Sequence, residues 1–205
     1  MRTEPTRWLS RVAVVSLAVV VVTMFGLRVV HGTDREHVSW DIVNLEFTTP
    51  PTVTAGGVAF ATTKNPTSLK IMLTGSGTFV PRAGRRASRA SGGGTWETFS
   101  GCPSACVSTG GGTYRVTRLV SWEFDTFQLL VLNDLIGPNA ANGTAVFRIR
   151  YSDGSKGVLG VGCHGPGASD GIVEGVIATK DFLTYWDAAV PVGGVNENRT
   201  VFHIL

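Results

Sequence analysis

The chain has 205 residues, with 18 basic and 15 acidic side chains and a formal net charge of +3. Four of the basic residues and one acidic residue precede Val29, which leaves 14 of each sign in the rest of the chain. Such a balance lacks the general basic surface with which nucleic-acid-binding proteins displace counterions from phosphates. We therefore expect no nucleic-acid partner. The part of the chain after Val29 has about 170 residues, which suffice for one domain with a sizeable core.

The N-terminal segment predicts delivery to a membrane. Arg2, Arg7 and Arg11 precede Val12–Leu27, an uncharged apolar run of 16 residues. A basic flank before an apolar run leaves the N-terminus in the cytoplasm and the rest of the chain outside it. The run is longer than a typical signal-peptide core of about 7–15 residues and shorter than a spanning helix of about 20. Residues 1–31 are therefore either a single-pass signal anchor or a cleaved signal peptide, with secretion as the second outcome.

A glycine-rich repeat organises the middle of the exported part, for which we predict a tether over 32–40 and one domain over 41–205. The pattern Gly-x-Gly-Thr-aromatic occurs at Gly75–Phe79, Gly92–Trp96 and Gly110–Tyr114. Glycine tolerates the backbone of tight turns, and threonine followed by an aromatic residue favours a strand. The repeat therefore predicts turns or bulges that each open or cross a strand.

Alternation of apolar and polar residues predicts strands through most of the domain. Along Tyr114–Phe124 the residues expected on one face are Val116, Val120, Trp122 and Phe124. Along Ala145–Tyr151, the apolar Phe147, Ile149 and Tyr151 oppose Arg148 and Arg150. Further candidate strands are Ile42–Thr48, Gly57–Thr63, Leu69–Thr74, Leu129–Leu132, Lys156–Cys163, Ile172–Ala178 and Thr200–Ile204.

Two segments do not follow this alternation. Lys180–Ala189 has the spacing of a short surface helix, and Pro81–Gly94 has the composition of an exposed loop. Many short strands without crossover helices favour antiparallel pairing. We predict an all-β fold, an antiparallel β-sandwich or barrel, preceded by one N-terminal membrane-targeting helix.

Three cysteines allow more than one arrangement. Outside the cytoplasm, Cys102 and Cys106 are expected to close a small disulfide loop. Together with Cys163 and His164 they have the number and types of ligand for zinc, but the Cys-x3-Cys spacing is weak evidence and oxidation competes. Free thiols are the third arrangement. We expect no resident metal or cofactor.

Two pairs of residues have the chemistry of a hydrolase. Cys163-His164 suggests a thiol nucleophile with its base, although adjacent side chains on a strand point to opposite faces. Asp170 and Glu174 suggest the paired carboxylates of a glycosidase, although both also suit the turn around Gly171. The preferred interpretation is that Cys163 packs inward beside a loop residue His164 and that Asp170 and Glu174 are turn residues. An exported hydrolase is the alternative function.

The aromatic pair Tyr185-Trp186 is the best candidate for a contact surface. It lies after Asp181-Phe-Leu, where the strand pattern breaks, and before Pro191 and a Gly-Gly pair, in a region typical of exposed connections. The pair either covers an open end of the β core or contacts a partner. His203, in an alternating strand, is expected to face solvent or to be hydrogen-bonded rather than to act as a base.

Part of the chain resembles bacterial exported β-rich proteins. The resemblance lies in Tyr151–Leu159, in Cys163-His164 and in Asn198–His203, and more weakly in the Gly-Gly-Gly-Thr-Trp segment. These proteins have no established activity, so the resemblance implies the β class and no catalytic residue. The expected function is a non-enzymatic binding or structural role at the cell envelope, with the membrane and an envelope polymer or protein as partners.

Overall fold

The computed structural model describes residues 37–81 and 89–205. These described residues form fourteen strands and no helix, all within the compact unit Arg35–Leu205. The strands are β1 Val38–Glu46, β2 Thr52–Ala55, β3 Ala59–Thr62, β4 Lys70–Leu73, β5 Ser76–Phe79, β6 Ala90–Ser100, β7 Val107–Phe127, β8 Asn133–Asp134, β9 Ala140–Tyr151, β10 Lys156–Cys163, β11 Gly175–Lys180, β12 Leu183–Tyr185, β13 Asp187–Ala188 and β14 Arg199–Ile204. The predicted all-β class is confirmed.

Six of the strands close into an antiparallel barrel. Around the barrel the order is β1, β5, β6, β7, β9 and β14, and β14 pairs again with β1. Closure removes the exposed edges that an open sheet of these strands would present. The barrel is therefore the form that the predicted antiparallel fold takes.

Six further strands extend the barrel wall on two sides, while β2 pairs with β1 and β8 pairs with β2. β10, β11 and β12 continue from β9, whereas β4, β3 and β13 continue from β6. One apolar core runs through the barrel and these extensions, and burial of its side chains supplies the main favourable free energy of folding. Its largest fully buried residues include Trp40, Phe79, Phe147, Tyr151 and Phe202.

The glycine repeat lies where strands approach one another, and two of its three copies lie wholly inside strands. Gly77 of β5 is directly opposite Gly92 of β6, and a Cβ atom on Gly77 would lie 2.1 Å from the carbonyl oxygen of Ser91. The aromatic residue that ends each copy is buried in the core. The repeat therefore combines close backbone contact with an aromatic side chain directed inward.

Bulges in β7 change which residues face the core. The register against β9 shifts between Val116 and Arg118 and again between Leu119 and Ser121. Each bulge adds a residue and reverses the alternation. Leu119 is therefore buried at 4 % exposure, whereas Val120, predicted to face inward, is 50 % exposed. Phe124 is also exposed, so the predicted face of this strand was wrong at two of four positions.

Several boundaries also differ from the predictions. Residues 129–132 form no strand, and Lys180–Ala189 is not a helix because β12 and β13 occupy it. Residues 90–94 of the predicted loop belong to β6. The domain boundary expected at residue 41 falls inside β1, where Trp40 is already fully buried.

Over residues 37–81 and 89–205, no helix has the length and apolar character that a bilayer crossing requires. The apolar run Val12–Leu27 and the arginines before it lie outside the described residues, as do Arg82, Arg85 and Arg86. The expectation of a signal anchor or signal peptide over residues 1–31 thus stays a prediction.

The close contact between β5 and β6 can be tested with a pair of glycine variants. We expect Gly77→Ala to lower the free energy of unfolding by about 1–3 kcal/mol, because the new methyl group would overlap backbone atoms of the neighbouring strand. Gly193→Ala is the control, since a Cβ there meets nothing within 4 Å. Thermal and denaturant unfolding measure both variants, and equal stabilities would contradict the close approach.

Candidate functional site

A cavity of about 480 Å³ lies on the outer face of β1 and β14. Trp40 and Phe202 point into the barrel, so the alternate residues Val43 and Val201 point outward. One wall of the cavity is apolar and consists of Val43, Leu45, Val53, Leu132 and Val201. The opposite side carries polar groups from Gln128, His164, Glu174, Arg199 and Thr200, with the loop 165–168 between them.

A small second core forms the apolar wall. Val43, Val53 and Val201 pack together. Leu132 and Ile136 cover them, and both belong to residues 128–139 between β7 and β9, called the covering segment below. This segment is fixed by backbone pairing of β8 with β2. The cavity is therefore the part of the outer face that this covering segment leaves open.

Glu174 is the most strongly perturbed acid at the cavity. Its Oε1 accepts hydrogen bonds from the Thr200 backbone N–H at 2.7 Å and from Thr200 Oγ1 at 3.3 Å, and its Oε2 accepts one from the His164 N–H. Burial raises the pKa of Glu174 from 4.5 to about 7, although these hydrogen bonds and the positive charge of Arg199 oppose the rise. Near neutral pH this carboxyl group is thus divided between its two protonation states.

Arg199 supplies the positive charge in the lining of the cavity. Its Nε is buried and has no hydrogen-bond partner among the described residues, while Nη2 lies 3.4 Å from the carbonyl oxygen of Val192. A guanidinium group carries five N–H donors, so these contacts leave it capacity for a further acceptor. The sequence gives no signal for Arg199, because the predicted strand begins at Thr200 and the partners of Arg199 come from other segments.

Cys163 and His164 do not form a nucleophile and base. The Cys163 thiol is fully buried and contacts Gln128 Nε2 at 3.1 Å and the Thr200 carbonyl oxygen at 3.2 Å. Burial raises its pKa well above the ordinary value, which disfavours the reactive thiolate. The His164 imidazole is directed away, with Nδ1 3.0 Å from the carbonyl oxygen of Ile172.

The other predicted acids and metal ligands are also separated. Asp170 is exposed and is not among the residues that line the cavity, so it does not face Glu174 there. Cys102 and Cys106 are joined as a disulfide in the turn between β6 and β7. Across residues 37–81 and 89–205, no group of three or more potential ligands is arranged to hold a metal ion.

His203 belongs to a second polar cluster, under the covering segment. Its Nε2 lies 2.9 Å from Asp134 Oδ2, and its Nδ1 lies 3.5 Å from Ser39 Oγ. Ser39, His203 and Asp134 are thus arranged like the hydroxyl nucleophile, base and acid of a catalytic triad. However, His203 is fully buried, with 0 % exposure. A substrate has no access to that base, so the contact holds the covering segment onto β14. His203 is hydrogen-bonded as expected, but it does not face solvent.

Tyr185 and Trp186 point to opposite sides. Tyr185 is 2 % exposed and belongs to the main core, so it is not available to a partner. Trp186 is 55 % exposed and lines a separate groove of about 310 Å³ with Val173 and Ile177. Of this pair, Trp186 alone has the exposure that a contact surface requires.

Comparison with known proteins gives no relative from which a function can be transferred. No family model matches the chain, and neither the curated proteins nor the solved structures contain a significant match. Any proposed function must therefore come from the geometry of the chain itself.

The raised pKa of Glu174 predicts a particular dependence of stability on pH. Between pH 4.5 and about 7 the folded state retains a proton that the unfolded state has released. The free energy of unfolding should therefore fall as pH rises through this interval, by about 3 kcal/mol from this group. Denaturant titrations should show this fall weakened in Glu174→Gln and retained in the exposed control Glu123→Gln. An identical pH dependence in all three proteins would contradict the assignment.

The cysteines can be distinguished by alkylation. In the full-length chain purified without reductant, we expect the peptide that contains Cys102 and Cys106 to be two hydrogens lighter than its reduced form. Cys163 should react with alkylating reagent after unfolding but not before, because the folded chain buries it. Mass spectrometry reads both results, and alkylation of Cys102 and Cys106 in the folded protein would contradict the disulfide.

Proposed function

We propose that this chain is a non-enzymatic binding domain of the cell envelope. Its ligand is a small molecule with an apolar body and one anionic group, held in the cavity on the outer face of β1 and β14. The observation that carries the proposal is the combination of an apolar wall with the positively charged side chain of Arg199 in the lining of one cavity. Apolar pockets with a few converging polar groups are the usual form of small-molecule sites.

The apolar wall of the cavity supports a ligand with an apolar body. Val43 and Val201 come from neighbouring strands, and Leu132 comes from the covering segment, so the wall is built from fixed elements. Transfer of an apolar group onto such a wall gains roughly 25 cal/mol per Å² of surface removed from water. A cavity of about 480 Å³ lies within the range of known small-molecule sites.

The polar side of the cavity supports an anionic group on the ligand. The two carboxylate oxygens of Glu174 already accept hydrogen bonds from His164 and Thr200, whereas Arg199 retains an unused donor. A carboxylate or similar anion on the ligand would form a charge-assisted hydrogen bond with the guanidinium group. Because Glu174 becomes neutral below about pH 7, an anion should bind more tightly in acid.

Placement at the cell envelope rests on the sequence. The basic flank and the apolar run Val12–Leu27 favour export of the domain, anchored or released. A hydrolase function has less support, since the Cys163 thiol is buried and the His164 imidazole is directed away from it. The surface near the cavity carries no exposed pair of nucleophile and base among the residues discussed above.

The ligand class can be tested with three probes that share one apolar body. The full-length chain, held in lipid nanodiscs, is titrated by calorimetry with 4-phenylbutyrate, 4-phenylbutanol and 4-phenylbutylamine. We expect the anion to bind most tightly, and more tightly at pH 6 than at pH 8. Arg199→Gln should weaken anion binding about tenfold or more, which is the effect of one charge-assisted hydrogen bond.

Arg89→Gln is the matched control, because it makes the same substitution at an exposed site that does not line the cavity. It should bind the anion as the unchanged protein does. Preference for the amine would instead implicate Glu174 and refute an anionic ligand. If none of the three probes bound, the cavity would not be a site of this kind.

A further inference from the structure

Five cations gather on the outer face of β7, β9 and β10, although the domain as a whole is neutral. The residues of this cationic face are Arg115, Arg118, Arg148, Arg150 and Lys156, and all five are exposed. They are five of the 14 basic residues that follow Val29. Balanced composition therefore conceals a strongly uneven distribution of charge.

The register of the strands places these cations directly opposite one another. Arg150 of β9 pairs with Arg115 of β7 on one edge and with Lys156 of β10 on the other. Arg118 pairs with Arg148 in a second row. Neighbouring strands are about 5 Å apart and alternate residues of a strand are about 7 Å apart, so the charges form a two-dimensional grid.

Like charges in directly opposed positions destabilise a sheet. No ion pair within the described part of the chain involves any of the five. Four of them line a groove of about 780 Å³, in which Asp181 is the one acid among the described residues. The arrangement thus costs stability, and the single acid offsets only part of the positive charge. An external partner with repeated negative charges would offset this cost.

We propose that the cationic face binds a polyanionic chain that carries phosphate groups at regular intervals. A grid of cations can contact several anions of one polymer, whereas a single anion would use one or two of them. No aromatic side chain lines the groove, so it lacks the stacking platforms on which single-stranded nucleic acids place their bases. This lining favours a polymer without bases over a single-stranded nucleic acid. This inference does not depend on the proposed small-molecule cavity.

The test uses inorganic polyphosphate as the probe. The full-length chain is kept in neutral-detergent micelles, and fluorescently labelled polyphosphate is followed by anisotropy. We expect binding that weakens steeply as salt rises from about 50 mM to 200 mM, because binding releases counterions from the polymer. Arg148→Gln/Arg150→Gln should weaken it by about tenfold or more.

The matched control is Lys64→Gln/Arg89→Gln, which removes the same charge from exposed positions outside the cationic face. It should bind polyphosphate as the unchanged protein does. If both double variants lost the same affinity, net charge alone would explain the binding, and the proposal would be overturned. The melting temperature of Arg148→Gln/Arg150→Gln should be unchanged or higher, since like-charge repulsion is relieved. A large fall in melting temperature would show that these arginines stabilise the fold instead.

Three competition experiments identify the source of the anion. Orthophosphate at the same total phosphate concentration should compete weakly, and equal competition would indicate a single-anion site. A single-stranded oligonucleotide of equal charge that bound more tightly would indicate a nucleic acid. If anionic phospholipid added to the micelles engaged the face while polyphosphate failed to bind, the partner would be a membrane surface. Each of these three outcomes would overturn the proposal of a base-free polymer.

Discussion

Six strands form a closed barrel because β9 is hydrogen-bonded along both of its edges. Along one edge it pairs with β7 over nearly its whole length, and along the other it pairs with β14 near Ala141 and then with β10. Since β9 alternates from Gly143 onward, this pairing directs Phe147 and Ile149 into the core and Arg148 and Arg150 outward. At its start, buried Asn142 accepts a hydrogen bond from the Gly165 N–H at 2.8 Å and so fixes the loop that borders the cavity. One strand thus determines closure and the position of both proposed binding surfaces.

The outer face of the barrel has two distinct environments. Over β1 and β14 the covering segment converts the outward side into a second core, in which polar groups become costly unless they are paired. His203 is paired with Asp134 there, whereas Arg199 at the edge of the segment retains a free donor. Over β7, β9 and β10 no such cover exists among the described residues, so the charged side chains remain in water, where their mutual repulsion is moderate. A small-molecule site suits the first environment and a polymer site the second.

The alternation of apolar and polar residues predicted the regular strands but not the features that depend on contacts between distant segments. Alternation identified Ala145–Tyr151, where the strand is regular, but it placed Val120 on the same face as Val116 because a bulge leaves no signal in the sequence. Lys180–Ala189 has helical spacing, yet pairing with β11 and β3 makes it two strands, a tertiary effect that outweighs propensity. The proposed binding site is less predictable. The sequence pairs Glu174 with Asp170, whereas its neighbours in the structure, Thr200 and Arg199, lie about 25 residues further along the chain.

The pairing of the first strand with the last has a consequence for how the chain folds during synthesis. Ser39 and His203 are neighbours in space but 164 residues apart in sequence. On the ribosome, β1 leaves the exit tunnel first and has to wait for β14 before that edge is paired. Contacts of such long range form slowly, and an unpaired edge is prone to wrong partners in the meantime. The polar residues Ser39 and Asp41 alternate with the apolar residues in the first half of β1, which keeps one side of that half compatible with water. The same alternation that later shapes the outer face thus also limits aggregation of the unfinished chain.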